Sequence, residues 1–584
     1  MSNQDGKLAQ DGATDQQGGK KPRRSRRLIE ERALLVLQAV LVGLVAGGAS
    51  VLLNWLLHRG QVLQRQLEGS WQLVLLPALG AVLAVLLVRR GFGDMGGHGV
   101  AEVIYSVTRR GGLLRRRTIF SHLVGSLLTL GSGGSAGPEA PVVVSGASLG
   151  SAAAGLSGVS ERRRVVLVCC GAASGLAAIF NAPVAGIIFV FEAILEEWTP
   201  FSMVPVAIAS VVGTEVSRLF QGNQLPFAGK NLQVGLHDLA ACLGLALLSA
   251  LVAVLLARGL HWSEKFWKRT RLQDLSRVFI GGLAVGGLGY FLPQVMGEGY
   301  HVILDALGGN MAPGLALVLL LLAGKLLATC LTLGSGGIGG VFAPSLVLGS
   351  LAGLFYARLL HLVLPQALFA GDDYFALLGM AGVLGALLKA PLTGVFLIVE
   401  ITGGYQVLVS VLLVTTVSSW LSSYLEPLSI YRRELQERGA HFRTRTDARV
   451  LLGLNLTDLL ERDCHTVHPE MSLREFVGIL KRTHRNYFPV EDTGNGSFLG
   501  LVHLDDVREY IFEPRLFDVV VVADIMESEP VTVSPDTLLP EVMQLFETSK
   551  AWSLPVVYQG KFLGMISKSR ILDFYRRELL AEEN

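Results

Sequence analysis

The chain has 584 residues, 51% of them hydrophobic and 17% charged, with a formal net charge of +2 and a mean hydropathy of +0.48. That length exceeds one compact domain, and that apolar content excludes a soluble enzyme of ordinary composition, so a polytopic membrane protein fits. Basic residues gather in short clusters beside apolar runs rather than in a groove-sized patch, which points to membrane lipid as a partner and away from nucleic acid.

Residues 1–28 are rich in Gln, Gly, Asp and Lys and end in Lys20-Lys21-Pro22-Arg23-Arg24-Ser25-Arg26-Arg27, which reads as a disordered basic tail. The apolar run from Ala33 to Leu57 is too long for a secretory h-region and has no clear cleavage site, so it reads as a first span. The positive-inside rule then places the N-terminus in the cytoplasm. From 29 to about 440 the chain is a series of apolar segments, among them Leu73 to Val88, Val165 to Phe180, Met203 to Leu219, Leu239 to Leu256, Leu315 to Leu331 and Val407 to Leu421. Several fall short of the ~20 residues that cross a bilayer upright, as expected of broken or re-entrant helices that meet protein rather than lipid. Small residues crowd them, as in Gly146-Ala147-Ser148-Leu149-Gly150-Ser151-Ala152-Ala153-Ala154-Gly155, a composition suited to close helix packing. Cys169, Cys170, Cys242, Cys330 and Cys464 form no CxxC and imply neither a disulfide framework nor a metal site. No cofactor is expected in this part.

The stretch Gly131-Ser132-Gly133-Gly134-Ser135-Ala136-Gly137-Pro138-Glu139-Ala140-Pro141 breaks the apolar pattern and carries a carboxylate where a bilayer makes one costly, a functional hypothesis by default. Its glycines and prolines suit a helix start that presents N–H groups to an anion, with Glu139 as the anion's competitor. The punctuation recurs at Gly334-Ser335-Gly336-Gly337-Ile338-Gly339-Gly340-Val341-Phe342-Ala343-Pro344. Likewise Asn181-Ala182-Pro183-Val184-Ala185-Gly186, followed by Glu192, is echoed by Lys389-Ala390-Pro391-Leu392-Thr393-Gly394, followed by Glu400. The membrane part is therefore an internal duplication, and paired interrupted segments in inverted repeats point to a transporter's site near the midplane. Glu192 and Glu400 read as structural polar residues near a dimer face or at helix ends.

After Tyr431 the composition turns charged and alternating. A second duplication pairs Thr466-Val467-His468-Pro469, Phe488-Pro489-Val490 and Phe498-Leu499-Gly500-Leu501-Val502 with Thr532-Val533-Ser534-Pro535, Leu554-Pro555-Val556 and Phe562-Leu563-Gly564-Met565-Ile566. Each copy reads as strand, helix, strand, strand, helix. The spacing resembles a tandem of CBS modules, at about 455–512 and 523–578 within a cytosolic α/β domain over 441–584. That resemblance implies an adenosine nucleotide held by a Ser/Thr and an Asp three residues later. Here those positions read His503 with Asp506, and Ser567 with Arg570, so neither copy is complete and nucleotide binding stays open.

Together these motifs resemble the CLC family of chloride channels and chloride/proton exchangers, of the bacterial type, from about residue 33 to the end. Gly137-Pro138-Glu139-Ala140-Pro141 is similar to that family's G-x-E-G-P, with Ala140 for a glycine. Gly340-Val341-Phe342-Ala343-Pro344 is similar to G-x-F-x-P, Gly97-His98-Gly99-Val100-Ala101-Glu102 stands where G-S-G-I-P-E is common, and Tyr431 stands at a pore tyrosine. The resemblance implies an all-α membrane domain of broken helices at 29–440, a homodimer in the cell's inner membrane, and one chloride or similar anion route per subunit gated by Glu139. It places the anion against His98, Gly99, Val100, Gly137, Pro138, Glu139, Ala140, Val341, Phe342 and Tyr431, with donors chiefly from the backbone of Val341 and Phe342, the start of the segment at Glu139 and the hydroxyl of Tyr431. Weak donors suit a pore because they replace water without trapping the ion. Protons reach Glu139 in exchangers of this kind through a second glutamate, whose position here is Ala193. The expectation is a channel-like or weakly proton-coupled route; the alternatives are a chloride/proton antiporter and a CBS-regulated cation transporter. No phosphate-binding loop, catalytic triad or HExxH spacing supports an enzyme.

Overall fold

In the computed structural model the described residues are 21–67, 69–94, 99–223, 227, 235–270, 272–309, 311, 314–364, 369–437 and 456–582. The chain falls into two compact units, Met1–Ala440 and His441–Asn584.

Among the described residues the regular elements of the first unit are helices, apart from one bridge between Gly137 and Gly340. Its first helix, α1, spans Lys21–Gln66; residues 1–20 of the tail expected over 1–28 lie outside the described residues. Pro22 stands in the first turn, where a missing N–H leaves nothing unpaired, and the Arg, Leu and Glu that follow favour a helix. Next come α2 (Gln72–Leu86), α3 (Val100–Arg109), α4 (Thr118–Gly131), α5 (Glu139–Ser157), α6 (Glu161–Phe180), α7 (Pro183–Phe189) and α8 (Pro200–Gln221). The second half continues with α9 (Leu236–Arg269), α10 (Asp274–Phe291), α11 (Tyr300–Gly308), α12 (Leu315–Gly334), α13 (Phe342–Val363), α14 (Asp372–Leu388), α15 (Pro391–Thr402), α16 (Leu408–Leu425) and α17 (Ile430–Glu437). Among the described residues nine helices are long and apolar enough to cross a bilayer, while α4, α7 and α15 are apolar but shorter.

The duplication is visible in the packing. On α5, a β-carbon at Gly146 would meet the Gly171 carbonyl of α6 at 2.1 Å and one at Gly150 the Leu167 carbonyl at 2.0 Å. On α13 the equivalent Gly349 and Gly353 stand in the same relation to Gly379 and Phe375 of α14, at 2.4 and 1.9 Å. Backbone approaches backbone here, which only glycine allows. These four helices form the centre: every residue from Tyr374 to Leu388 of α14 is buried, the pattern of a helix surrounded by protein on all sides.

The helix ends repeat as well. Asn181 and Lys389 end α6 and α14 in left-handed conformation, at φ 56° and 58°, and a proline then starts α7 and α15. Glu192, in the wide turn Val190–Leu195 that extends α7, accepts from the Leu392 and Thr393 amides at 3.0 and 2.7 Å. Glu400 on α15 accepts from the Val184 and Ala185 amides at 3.0 and 2.7 Å. Each carboxylate thus satisfies the first amides of the helix equivalent to its own.

In the second unit β1 (Tyr487–Glu491) pairs antiparallel with β2 (Phe498–His503), and β3 (Ser553–Tyr558) with β4 (Lys561–Ser567). The first strand expected in each copy is reduced to a single bridging residue: Val467 lies parallel to Val490, and Val533 parallel to Val556. Two separate cores result, one around Val467, Phe476, Phe488 and Val502 and one around Val533, Phe546, Val556 and Ile566.

Candidate anion pathway

The two glycine-rich breaks meet face to face. Gly137 donates its amide to the Gly340 carbonyl at 2.8 Å and accepts from the Gly340 amide at 2.7 Å. Equivalent residues of two repeats that pair antiparallel with each other lie across a local two-fold axis, the relation expected of inverted halves. Side chains reinforce it: Thr332 Oγ1 accepts from the Ser135 amide at 3.0 Å, and Thr129 Oγ1 from the Ile338 amide at 3.3 Å. The starts of α5 and α13 are therefore held together in the interior.

Glu139 is the first residue of α5 and wholly buried. Its Oε2 accepts from the Ala343 amide of α13 at 3.4 Å, and its Oε1 accepts from the Tyr300 hydroxyl of α11. The first N–H groups of α13 have no carbonyl of their own helix to meet, and the helix dipole favours a negative charge there. The carboxylate thus takes a place that suits an anion. Phe342, beside it, packs on Phe189 and Phe180 at 5.6 and 6.1 Å between ring centres. Tyr431, in the first turn of α17, is buried with a hydroxyl that meets no hydrogen-bond partner among the described residues.

The positions singled out from the sequence divide as follows. Glu139 and Phe342 stand together at the meeting point, with Pro138, Ala140 and Val341 buried around it. The amide that reaches the carboxylate belongs to Ala343, the second residue of α13 and one of its first N–H groups with no carbonyl of their own helix to meet. The Gly137 amide is bonded to the Gly340 carbonyl. Gly99, with φ 68°, starts α3 beside His122 and Val144, and Val100 is buried. His98 and Gly97 lie outside the described residues. Ala193 lies in the wide turn after α7, and Glu196, three residues on, pairs with Arg432 of α17.

Sequence reasoning missed three buried residues beside this place: Tyr300, Glu298 and Lys325. Glu298 is 5% exposed and Lys325 1%. Tyr300 also lines a cavity of about 250 Å³ together with Pro138, Phe180, Asn181, Gln221 and Phe227. In the second unit, Ser567 Oγ donates to Glu461 Oε1 at 2.5 Å, and Arg485 donates to the other oxygen of that carboxylate at 2.5 Å. His503 faces Glu527 at 3.4 Å, and Asp506 is exposed on the helix Leu504–Ile511.

Residues 80–423 match the family described as "Voltage gated chloride channel", and residues 456–513 and 522–577 match the "CBS domain". The chain is 30% identical over 432 residues to the "H(+)/Cl(-) exchange transporter ClcA" of Klebsiella pneumoniae, covering 70% of this chain and 91% of that one. It is 30% identical over 424 residues to the "Voltage-gated ClC-type chloride channel ClcB" of Escherichia coli O81, covering 69% and 98%. Among solved structures it is similar to a "slow cyanobacterial Cl-/H+ antiporter", with a TM-score of 0.65, 26% identity, and coverage of 70% of this chain and 99% of that one. The membrane match spans more than half of the chain, and it contains the meeting helices just described. This protein is a multi-pass member of the CLC family of anion-transport proteins, with a CBS pair following its membrane unit.

Proposed function

We propose that the first unit carries chloride or a similar anion along a route that passes the starts of α5 and α13, with Glu139 as the gate. One observation carries this reading: a buried carboxylate takes an amide at the start of α13, where a free anion would find the same donor. The unpartnered Tyr431 hydroxyl supplies a second donor. Amide and phenol donors suit an anion, whereas a hard cation needs oxygen acceptors, which argues against a cation transporter. When Glu139 takes a proton it loses its advantage over chloride and gives way.

The charges support one orientation. Arg163 in the first turn of α6 pairs with Glu31 of α1, and Lys268 at the end of α9 reaches Glu437 of α17 at 3.9 Å. Arg432 and Arg433 of α17, the helix that leads into the CBS unit, add to Lys268 there, and by the positive-inside rule they support a cytoplasmic side for it. Exposed apolar residues on α8 and α16, such as Val204, Val211, Val409 and Trp420, suit lipid and a second copy in a homodimer. For the CBS unit we favour regulation without nucleotide, since Ser567 already donates to Glu461, whose other oxygen accepts from Arg485.

Coupling divides the alternatives. Ala193 offers no proton relay, which favours uncoupled anion flux; the exchanger and antiporter names of the relatives favour exchange. Liposomes with an imposed chloride gradient test this. Chloride flux that leaves protons at their own equilibrium is the expected result, and uphill proton pumping at a fixed ratio would overturn it. The gate is tested by Glu139→Ala, which should pass chloride with no pH dependence.

A further inference from the structure

We propose that Glu298, balanced by Lys325, makes Glu139 take a proton when it gives way to the anion, and so sets the pH at which the route opens. This rests on Glu139 acting as the gate. Lys325 lies in the middle of α12, where its ammonium donates to the Gly297 carbonyl at 2.8 Å and the Val295 carbonyl at 3.2 Å. Those carbonyls belong to the link between α10 and α11, the same link that carries Glu298 and leads into Tyr300. A β-carbon on Gly299 would stand 3.1 Å from Lys325 Nζ, so the ammonium is fixed beside the backbone between the two side chains. Glu298 meets the Gln61 side chain of α1 and lies within the electrostatic reach of both Lys325 and Glu139. Its Oε1 is buried with no hydrogen-bond partner among the described residues.

The charge count gives the mechanism. Two carboxylates and one ammonium share a site without bulk water, so one negative charge is left over when all three are ionised. A buried charge is tolerated only where donors or counter-charges meet it. Glu298 has Lys325. Glu139 has the Ala343 amide and the Tyr300 hydroxyl, but only while it occupies the start of α13. An anion arriving there takes those donors, and the displaced carboxylate then faces the charge on Glu298 with no compensation. The neutral acid is the form that survives displacement. The remaining groups facing the cluster are Tyr300 and Tyr431, near Glu139, and His301, near Lys325, with Asp305 and Arg65 beyond it. The cavity that Tyr300 lines gives protons an approach.

The test is chloride efflux from proteoliposomes as a function of pH, with five variants of the full chain. Glu298→Gln should move the midpoint of activation to lower pH by about one unit, the size expected for removing a unit charge several ångströms away. Lys325→Met should move it to higher pH by a similar amount, and Lys325→Arg should leave it in place. The double variant E298Q/K325M should lie near the parent. A midpoint unmoved in E298Q, or moved equally by Lys325→Met and Lys325→Arg, overturns the proposal. The two arms are independent, so a variant that does not assemble leaves the other to decide. Glu139→Ala is the fifth: pH dependence that persists in it counts against the gate itself, whereas a flat Glu139→Ala profile with unmoved Glu298 and Lys325 variants counts against this pair alone.

Discussion

Gly137 precedes the gate by two residues, and the space a side chain would fill there is taken: a β-carbon would stand 2.1 Å from Glu139 Oε2. Gly137→Ala should push the carboxylate from the start of α13 and raise chloride efflux at neutral pH toward the level of Glu139→Ala. An unchanged rate would show that the carboxylate does not obstruct the ion. Tyr300→Phe removes a hydrogen bond to a charged acceptor, worth roughly 1.5–3 kcal/mol. It should raise neutral-pH efflux about tenfold or more, measured in the same assay. Glu139 could be singled out in the sequence by its place in a glycine- and proline-rich break, and Tyr431 by family resemblance alone. Tyr300, Glu298 and Lys325 could not, since the α10–α11 link and the middle of α12 lie outside the repeated motifs. One signal did exist. Lys325 is the single charge in the apolar run Leu315 to Leu331, and a lone intramembrane lysine is itself a flag for function.

The helical elements are tied by exchange between the repeats. Glu400 holds the first amides of α7, and Glu192 those of α15, where the Thr393 hydroxyl also donates to it at 2.7 Å. Glu400→Ala leaves the Val184 and Ala185 amides without an acceptor and should cost about 1–3 kcal/mol. Thermal unfolding in detergent should show a lower midpoint for that variant, and a midpoint equal to the parent would mean that water replaces the carboxylate without loss. The symmetry of the two glutamates was readable from their spacing, and so was a role at helix ends. The identity of the partner helix was not, because a capping carboxylate ordinarily serves its own helix or a neighbour in sequence, whereas these serve residues about 200 positions away.

At the scale of the whole molecule the change of composition after Tyr431 marked the two units, and the period of the second duplication marked the two modules within the second. The alternating runs gave the hairpins β1–β2 and β3–β4 but overstated the opening strand of each copy. Val467 and Val533 make only one bridge apiece, since the prolines at 469 and 535 follow too soon for a longer ladder. The donors placed on the anion route all belong to the first unit. Removing residues 441–584 should therefore leave the reversal potential in mixed chloride and nitrate unchanged while altering assembly or regulation. A shifted reversal potential would mean that the second unit contributes to the route.

The reciprocal bridge between Gly137 and Gly340 has a consequence for how such a chain can change. Thr129 and Thr332 sit at the same distance in sequence from their bridging glycines, and each holds an amide of the opposite loop. Adding or deleting one residue in either loop would slide that glycine past its partner and strip both threonines of their acceptor role at once. Neither loop is free to vary in length alone, so an insertion tolerated in one half requires a matching insertion in the other, and the two halves remain bound to a common reading frame of structure however far their side chains diverge.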